Sequence, residues 1–449
     1  QTTQSFGIIN SSQKTNTKER GLLMNDYTRV SRNKKDQIFR FCKTISKGLS
    51  VPNFKFICCM IFGILCAKSV LLSDIARVLN EPILLKKTIE RLSNRLKTFQ
   101  ESDRFTLFHN YLQTIRPKFD NRSIFCIDLS DITKTYGTHF EHMGEVFDGS
   151  TGNRKAKGYS LLEIVGLSDR SNAPLPVYSK VLSNEKPDFV SEPEEILTAL
   201  KHLTSFVGNR GIRTLDRGFD SLTYIRYFVS QKQSFLLRAT KKRLVVHRGK
   251  TKNILSLARS YKGRYVMEFE SKAKKKQTVR VSCVKVELPK LPGVPLFLII
   301  CFGYGKEPML LLSNQPLQTE SVCTSLAKVY FKRWKIEEYF RFKKQQFQLE
   351  NLRVRSFESI CNINLMATLA TAFLGLLAQK DAHDVSIAIL FHYAKRTNSP
   401  YKFHYYRISD GLTNVFRLAR TTILSCIKPT AFCPPYFQQL TLSCLASTG

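Results

Sequence analysis

The feature that most constrains the fold is an alternation of short apolar segments with amphipathic segments between residues 120 and 240. Three apolar segments of strand length come first, and two units follow in which a helical pattern precedes a strand pattern. The predicted strands are Ser123 to Ile127, Ser160 to Leu167, Val177 to Leu182, Gly211 to Leu215 and Ser234 to Leu237. The predicted helices are about Pro193 to Leu203 and Asp220 to Val229. This order predicts an α/β fold in which helices cover one mixed sheet.

The same order of strands and helices is that of a ribonuclease H-like fold. Residues 240–315 depart from it, because they combine short β-rich segments with a lysine cluster. The cluster consists of Lys272, Lys274, Lys275 and Lys276. A long helix is predicted from Gln318 to about Leu349, and helical patterns continue through Leu377. We therefore predict a ribonuclease H-like core that is interrupted by a β-rich insertion domain with a basic hairpin tip.

The charge balance predicts a polyanionic partner. The 449 residues include 70 Lys and Arg against 35 Asp and Glu, which gives a formal net charge of +35. Such an excess is typical of proteins that bind nucleic acid, with an acidic membrane surface as the alternative. The best apolar runs, Ile57 to Ala67 and Leu365 to Ala378, are shorter than the roughly 20 residues of a spanning helix. We interpret them as buried core helices and expect nucleic acid as the partner.

A basic amphipathic helix is predicted around residue 90. A short helix with Ser73 as its N-cap ends at Asn80, and a longer helix follows the break. Its apolar stripe consists of Leu85, Ile89, Leu92 and Leu96, and the basic stripe beside it consists of Lys87, Arg91 and Arg95. Two helices with this break outline a helix-turn-helix, whose second helix enters the major groove of DNA. The alternative is a small helical bundle with a solvated basic face.

These patterns divide the chain into six parts. They are a disordered or non-native leader (1–35), a helical DNA-binding domain (36–115), the first part of the core (116–238), the insertion domain (239–317), the second part of the core (318–378) and a helical C-terminal region with a possible role in dimerisation (379–449). Because the chain begins with Gln1, Met24 is an alternative start of the protein.

The cysteines and histidines favour structural roles. The 12 cysteines include no C-x-x-C pair, so we expect free thiols rather than a zinc ribbon or a disulfide framework. His139 and His142 flank Glu141, but the surrounding segment is rich in Gly, Asp, Ser and Asn, which favours a solvated loop over a metal site.

Two aspartates directly follow predicted strands and are candidate metal ligands. They are Asp128 and Asp216, and functional groups converge where strands end at one edge of a sheet. Carboxylate oxygens bind hard cations such as Mg²⁺, and a third carboxylate would complete a site for two metal ions that cleave a phosphodiester. The alternative for each aspartate is that it only begins a turn.

The third carboxylate comes from the predicted long helix. At 100° per residue, Tyr330, Arg333, Glu337 and Lys344 fall on one helix face within about 60°. A glutamate between a phenol and two cations suits a metal ligand surrounded by phosphate contacts. The alternative is an exposed Arg333–Glu337 pair, which would contribute only a few tenths of a kcal/mol.

Together, these segments resemble the insertion-sequence-four family of bacterial DDE transposases. The spacing Tyr330-x2-Arg333-x3-Glu337-x6-Lys344 resembles the family's Y-R-E-K signature. The segments Ile127-Asp128-Leu129-Ser130-Asp131 and Asp216-Arg217-Gly218-Phe219-Asp220 resemble its first-Asp and second-Asp motifs. The three motifs occur in the family's order, and the resemblance covers about residues 40–378.

The resemblance implies a cut-and-paste transposase. Asp128, Asp216 and Glu337 would bind two Mg²⁺ ions, for which Mn²⁺ can substitute, and would catalyse cleavage at the transposon ends and transfer of the 3′-OH to target DNA. Asp131 and Asp220 lie so close to the two aspartates that each is an alternative ligand.

The remaining signature residues would contact DNA. Tyr330, Arg333 and Lys344 would bind phosphates near the cleavage point. The helical domain would recognise the terminal inverted repeats through the basic stripe of Lys87, Arg91 and Arg95.

The resemblance further implies double-stranded DNA as the partner, a homodimer in the synaptic complex, no membrane and a cytoplasmic, nucleoid-associated bacterial protein. The alternatives are a ribonuclease H-like nuclease without strand transfer and a non-catalytic DNA-binding relic. A basic RNA-binding protein is the weakest interpretation, because it gives no reason for three ordered carboxylates.

Overall fold

The computed structural model describes residues 17–137, 139–149, 151–153, 155–169, 171–270, 276–316, 319–379, 385–395, 404–420 and 422–427. The helices are α1 (Thr17–Ile45), α2 (Val51–Ala67), α3 (Leu72–Leu79), α4 (Leu85–Thr98), α5 (Glu101–Ile115), α6 (Glu192–Val207), α7 (Leu222–Ser230), α8 (Ile254–Arg259), α9 (Glu320–Lys332), α10 (Trp334–Gln346), α11 (Phe357–Ala378), α12 (Val385–Tyr393), α13 (Tyr405–Leu418) and α14 (Leu424–Ile427). The strands are β1 (Ile124–Thr133), β2 (Gly144–Val146), β3 (Ala156–Ser168), β4 (Ser171–Leu182), β5 (Ile212–Leu215), β6 (Ser234–Arg238), β7 (Leu244–His247), β8 (Lys250–Asn253), β9 (Tyr265–Glu270), β10 (Lys276–Leu288), β11 (Leu291–Phe302) and β12 (Met309–Ser313).

The strands form one 12-stranded mixed sheet, which confirms the predicted α/β class. Its order is β2-β3-β1-β5-β6-β12-β11-β10-β7-β8, with β4 beside β3 and β9 beside β10. The central strands β1, β5 and β6 are parallel, whereas β3 and β12 join them in the antiparallel direction. The five strands predicted between residues 120 and 240 are all present, at slightly different bounds.

Strand β1 is longer than the sequence pattern predicted. Its antiparallel pairing with β3 continues to Thr133, whereas its parallel pairing with β5 ends at the pair Ile127 and Leu215. Asp128 therefore does not end a strand, and the prediction that it does is wrong. At Asp128, β1 is still paired with β3 but is no longer paired with β5.

The strands described within residues 239–317, the predicted insertion domain, extend the same sheet. Strand β12 pairs with β6 of the central sheet, and β11 and β10 follow outward in antiparallel register. The predicted hairpin tip lies outside the described residues at Lys272, Lys274 and Lys275, and β10 begins at Lys276.

A disordered or non-native leader was predicted over residues 1–35, of which residues 1–16 lie outside the described residues, whereas helix α1 begins at Thr17. Four of its apolar residues are buried: Val30, Ile38, Cys42 and Ile45. The polar composition of this segment made its buried apolar residues hard to recognise from the sequence. Even Lys34 is buried, and it donates a hydrogen bond to Ser386 Oγ on α12 at 2.8 Å. Helix α1 thus packs against the C-terminal helices α12 and α13, and the N-terminal helices share one core with the rest of the protein.

Helix α11 runs through this core. Its 22 residues are long and apolar enough to cross a membrane, as is the bent pair of α2 and α3 taken together, but 89% of the apolar window of α11 is buried inside the protein. The helix begins eight residues before the predicted apolar run and includes Asn362, whose amide donates to the carbonyl oxygens of Leu96 and Phe99. Such internal partners for polar groups are typical of a core helix.

Helices α3 and α4 reproduce the predicted pair with two differences. Helix α3 begins at Leu72, so Ser73 lies within its first turn and is not its N-cap. Asn80 ends α3 in a left-handed conformation, with a φ of 48°. On α4, Leu92 and Leu96 are buried as predicted, but Leu85 at the start of the helix is 40% exposed.

The predicted free thiols are confirmed for the described part of the chain. Its ten cysteines are all unpaired by disulfides, and seven of them are buried.

Candidate active site

The sheet places Asp128 and Asp216 side by side. The last parallel pair of β1 and β5 joins Ile127 to Leu215. Asp128 is the next residue of β1, and Asp216 directly follows the end of β5. Because parallel strands run in the same direction, both carboxylates reach the same edge of the sheet.

The predicted long helix is in fact two helices, and this prediction is wrong. Helix α9 ends at Lys332, α10 begins at Trp334, and Arg333 lies between them. Two hydrogen bonds with a spacing of three residues tighten the chain here, one from Arg333 N to Tyr330 O and one from Ile336 N to Arg333 O. The Y-R-E-K residues therefore do not share one continuous helix face.

The side chain of Arg333 lies among all three predicted metal ligands. Its Nη1 is 3.0 Å from Asp128 Oδ2, and its Nη2 is 2.7 Å from Glu337 Oε1 and 3.9 Å from Asp216 Oδ2. The side chain is only 7% exposed. The pair with Glu337 is therefore part of a buried cluster, and the alternative of an exposed surface pair does not describe it.

Asp216 has two further partners. The hydroxyl of Tyr330 donates to its Oδ1 at 3.0 Å, and Arg238 Nη1 lies 3.7 Å from the same oxygen. The sequence interpretation missed Arg238. A signal was available, because Arg238 ends β6, the strand predicted directly after the one that carries Asp216.

The two aspartates differ in pKa. Burial raises the pKa of Asp128 to about 6, since the attraction of Arg333 does not offset it and the charges of Asp216 and Glu337 add repulsion. Burial alone would raise the pKa of Asp216 as well. Arg333, Tyr330 and Arg238 lower it by more, so this pKa lies below its ordinary value. Asp128 is the more enclosed of the two, with a side chain 20% exposed against 35% for Asp216.

Lys344 contacts a separate acidic pair. Its Nζ lies 3.0 Å from Asp131 Oδ2 and 3.1 Å from Glu350 Oε1. The predicted cluster of four signature residues is thus divided, with Tyr330 and Arg333 at the carboxylates and Lys344 beside Asp131.

Asp220, the alternative to Asp216, has structural partners. Its side chain is 1% exposed, pairs with Arg243 and accepts hydrogen bonds from Thr240 N and Oγ1 at 2.7 and 2.8 Å.

The predicted basic stripe on α4 is only partly available to a ligand. Arg91 Nη2 lies 2.8 Å from Glu81 Oε1, and Lys87 Nζ lies 3.1 Å from Glu90 Oε2. Arg95 is exposed near the end of the helix.

The carboxylate cluster suits a divalent cation by its chemistry. Within the described ranges, no group of three or more His, Cys, Asp or Glu side chains has the geometry of a formed metal site, and this includes the segment around His139, Glu141 and His142. The oxygens of Asp128, Asp216 and Glu337 nevertheless surround one buried cation, the Arg333 guanidinium. Carboxylate oxygens gathered about a positive charge are the donor set that hard divalent ions take, so the residues fit such an ion.

The sequence profile of the family described as "Transposase DDE domain" matches residues 122–373. The chain belongs to this transposase family. The match spans β1 through most of α11 and includes every residue of the carboxylate cluster. Transposases of this family generally use divalent metal ions, in agreement with the donor set.

No curated protein is significantly similar in sequence to this transposase. Among solved structures, it is similar to one described as "Cryo-EM structure of piggyBac transposase synaptic complex with hairpin DNA (SNHP)", with 12% sequence identity and a TM-score of 0.45. The similarity covers 90% of this chain and 82% of that chain.

Proposed function

We propose that this transposase is a cut-and-paste enzyme, which binds the terminal inverted repeats of its transposon, cleaves the DNA at the ends and joins the 3′-OH to target DNA. The observation that carries the proposal is the convergence of Asp128, Asp216 and Glu337 on one buried cation within the matched family segment. The three carboxylates come from β1, the end of β5 and α10, so the sheet and one helix hold them in place.

In this proposal, Asp128, Asp216 and Glu337 are the ligands of two Mg²⁺ or Mn²⁺ ions. When bound, such ions activate a water or a DNA 3′-OH as the nucleophile and stabilise the leaving oxygen. Arg333 then contacts the phosphate beside the cleaved bond. Lys344 contributes positive charge on α10, two residues before the end of that helix.

Tyr330 acts as a hydrogen-bond donor and not as a nucleophile. Burial and the neighbouring Asp216 raise the pKa of its phenol well above the ordinary value, so the phenolate is not accessible near neutral pH. Its hydroxyl orients the Asp216 carboxylate instead.

We also propose that the strands β4-β3-β1-β5-β6 and their helices form a ribonuclease H-like core. Three consecutive antiparallel strands followed by two parallel ones support this proposal. Residues 239–317 are then an insertion into the core, and residues 36–115 supply recognition of the DNA ends through Arg95 and its neighbours. The motif spacing supports a relationship to the insertion-sequence-four family of bacteria.

Two ends must be held together during transposition, and we therefore propose a homodimer on double-stranded DNA. The formal net charge of +35 supports DNA as the partner and predicts binding that weakens steeply with salt.

The test uses a supercoiled plasmid that contains the gene with its natural flanking DNA, incubated with purified full-length protein and Mg²⁺ or Mn²⁺. We expect nicks at inverted repeats and, with pre-cut ends, joining to a second plasmid. Asp128→Ala, Asp216→Ala and Glu337→Ala should abolish cleavage and spare DNA binding. The matched control is Glu338→Gln, because Glu338 neighbours Glu337 but pairs with Lys335.

Each other outcome has a defined meaning. Retained cleavage in the Asp216→Ala protein would contradict the assignment of the triad. Cleavage by the wild-type protein without joining would indicate a nuclease, and DNA binding without cleavage would indicate a relic.

A further inference from the structure

Arg333 is placed as a cation inside an acidic site and not beside it. Its two terminal nitrogens contact different carboxylates, Nη1 that of Asp128 and Nη2 that of Glu337, and Asp216 lies within 3.9 Å. Its third nitrogen, Nε, is buried without a hydrogen-bond partner among the described residues. The guanidinium also lies over the ring of Tyr330, 5.8 Å from the ring centre.

The carboxylates require such a counter-charge. Three negative groups in a partly buried space repel one another, and the cost of keeping them charged rises as water is excluded. The guanidinium reaches all three, so it keeps the cluster assembled when no metal ion is bound.

The oxygens that contact Arg333 are also the oxygens that a metal ion needs. Mg²⁺ binds carboxylate oxygen at about 2.0–2.1 Å. The Arg333 guanidinium lies 3.0 Å from Asp128 Oδ2 and 2.7 Å from Glu337 Oε1, so it blocks the side from which a metal ion would approach these oxygens. Its positive charge also repels the metal ion. The backbone of Arg333, between α9 and α10, makes hydrogen bonds with a spacing of three residues, to Tyr330 O and from Ile336 N.

We infer that Arg333 is a placeholder cation: it holds the three carboxylates together in the metal-free protein and leaves at least one of them when a divalent ion binds. The released guanidinium is then free to bind a DNA phosphate. This inference rests on the proposed function, since it assumes that the three carboxylates are the metal ligands.

Calorimetric titration of the full-length protein with Mn²⁺, without DNA, tests this competition. The Arg333→Gln protein should bind Mn²⁺ about tenfold more tightly than wild type, since one neighbouring charge shifts an ionic equilibrium by at least this factor. In EDTA the same variant should melt at a lower temperature than wild type, and an excess of Mn²⁺ over EDTA should remove this difference. The control is Arg341→Gln, which removes the same charge from an exposed position on α10 and should change neither quantity appreciably.

A second variant separates competition for the oxygens from simple charge repulsion. Lysine carries its charge on a single nitrogen and cannot bridge two carboxylates as the arginine guanidinium does. Arg333→Lys should therefore also bind Mn²⁺ more tightly than wild type. Unchanged or weaker Mn²⁺ binding by Arg333→Gln overturns the inference, as does a Mn²⁺-bound structure in which Arg333 still bridges Asp128 and Glu337.

The two proposals fail in different experiments. Normal cleavage together with Mn²⁺ affinity that is insensitive to Arg333→Gln overturns only the placeholder role. Tighter Mn²⁺ binding by Arg333→Gln in a protein that never cleaves DNA supports the placeholder role and overturns the proposed function.

Discussion

The hydroxyl of Tyr330 donates a hydrogen bond to Asp216 Oδ1 across 3.0 Å and so connects the end of α9 to the end of β5. The Tyr330→Phe protein retains the ring and loses this bond. A hydrogen bond to a charged group contributes about 1.5–3 kcal/mol, so cleavage should fall by roughly ten- to a hundredfold while DNA binding changes little. Single-turnover cleavage rates measure the effect. Tyr224→Phe, at a buried tyrosine on α7, is the control and should cleave at the wild-type rate.

Substitution of Asp216 should affect DNA cleavage, whereas substitution of Asp220 should affect the stability of the fold. Asp220 is buried and paired with Arg243, and removal of one partner of a buried pair costs about 3–5 kcal/mol. Asp220→Asn should therefore lower the free energy of unfolding in urea and leave the cleavage rate per folded molecule unchanged. Asp216→Asn should abolish cleavage with little loss of stability. The reverse pattern would make Asp220 the ligand.

A buried ion pair fixes α10 to the sheet. Lys343 Nζ lies 2.5 Å from Glu163 Oε1 of β3, and both side chains are fully buried. Lys343→Met should lower the free energy of unfolding by about 3–5 kcal/mol, because Glu163 is left charged without its partner. Adding Glu163→Gln should recover part of this loss. Urea unfolding of the single and double variants measures it, and additive losses would show that the pair is not coupled.

Asp128 should make the metal-free protein less stable as pH rises. Its folded-state pKa of about 6 lies above the ordinary value of 3.8, so the folded state binds the proton more tightly than the unfolded state does. The resulting stabilisation is complete below pH 4 and is lost as pH rises to 6. In EDTA, the melting temperature of wild type should fall relative to that of Asp128→Asn across this range. Parallel profiles would show that Asp128 does not titrate there.

Arg95 and Arg91 should differ in DNA binding although they are neighbours on α4. Arg95 is exposed, whereas Arg91 is held by Glu81 at 2.8 Å. Arg95→Ala should weaken binding and reduce the slope of log affinity against log salt by about one. Arg91→Ala should chiefly lower the melting temperature. Titrations of labelled end DNA at several salt concentrations compare the two, and equal slopes would contradict this assignment.

Local patterns were sufficient to predict the elements that bring the aspartates together. The apolar segments before Asp128 and Asp216 become the paired strands β1 and β5, because burial on both faces requires such runs. Even so, the end of β1 was predicted too early, since its last residues pair only with β3 and carry a mixed polar pattern.

Contacts between distant segments were not predictable from local patterns. Nothing around Lys343 distinguishes it from Lys344, yet the first is buried against Glu163 and the second is partly exposed beside Asp131. The break at Arg333 was also not predicted, because the residues on both sides of it favour a helix. A single helical wheel therefore assigned Tyr330 to the same helix as Glu337 and Lys344, whereas the structure places Tyr330 on α9 and the other two on α10.

The contact between Asp128 and Arg333 joins residues 205 positions apart in the chain. At about 5–20 residues per second, a ribosome needs roughly 10–40 seconds to add the arginine after the aspartate. During that interval the nascent chain already contains the basic helix α4 and the first carboxylate, but it has neither the acidic residue of α10 nor its counter-cation. Synthesis order thus delays completion of the carboxylate cluster until most of the described chain exists, and any product that stops before Arg333 lacks both Arg333 and Glu337.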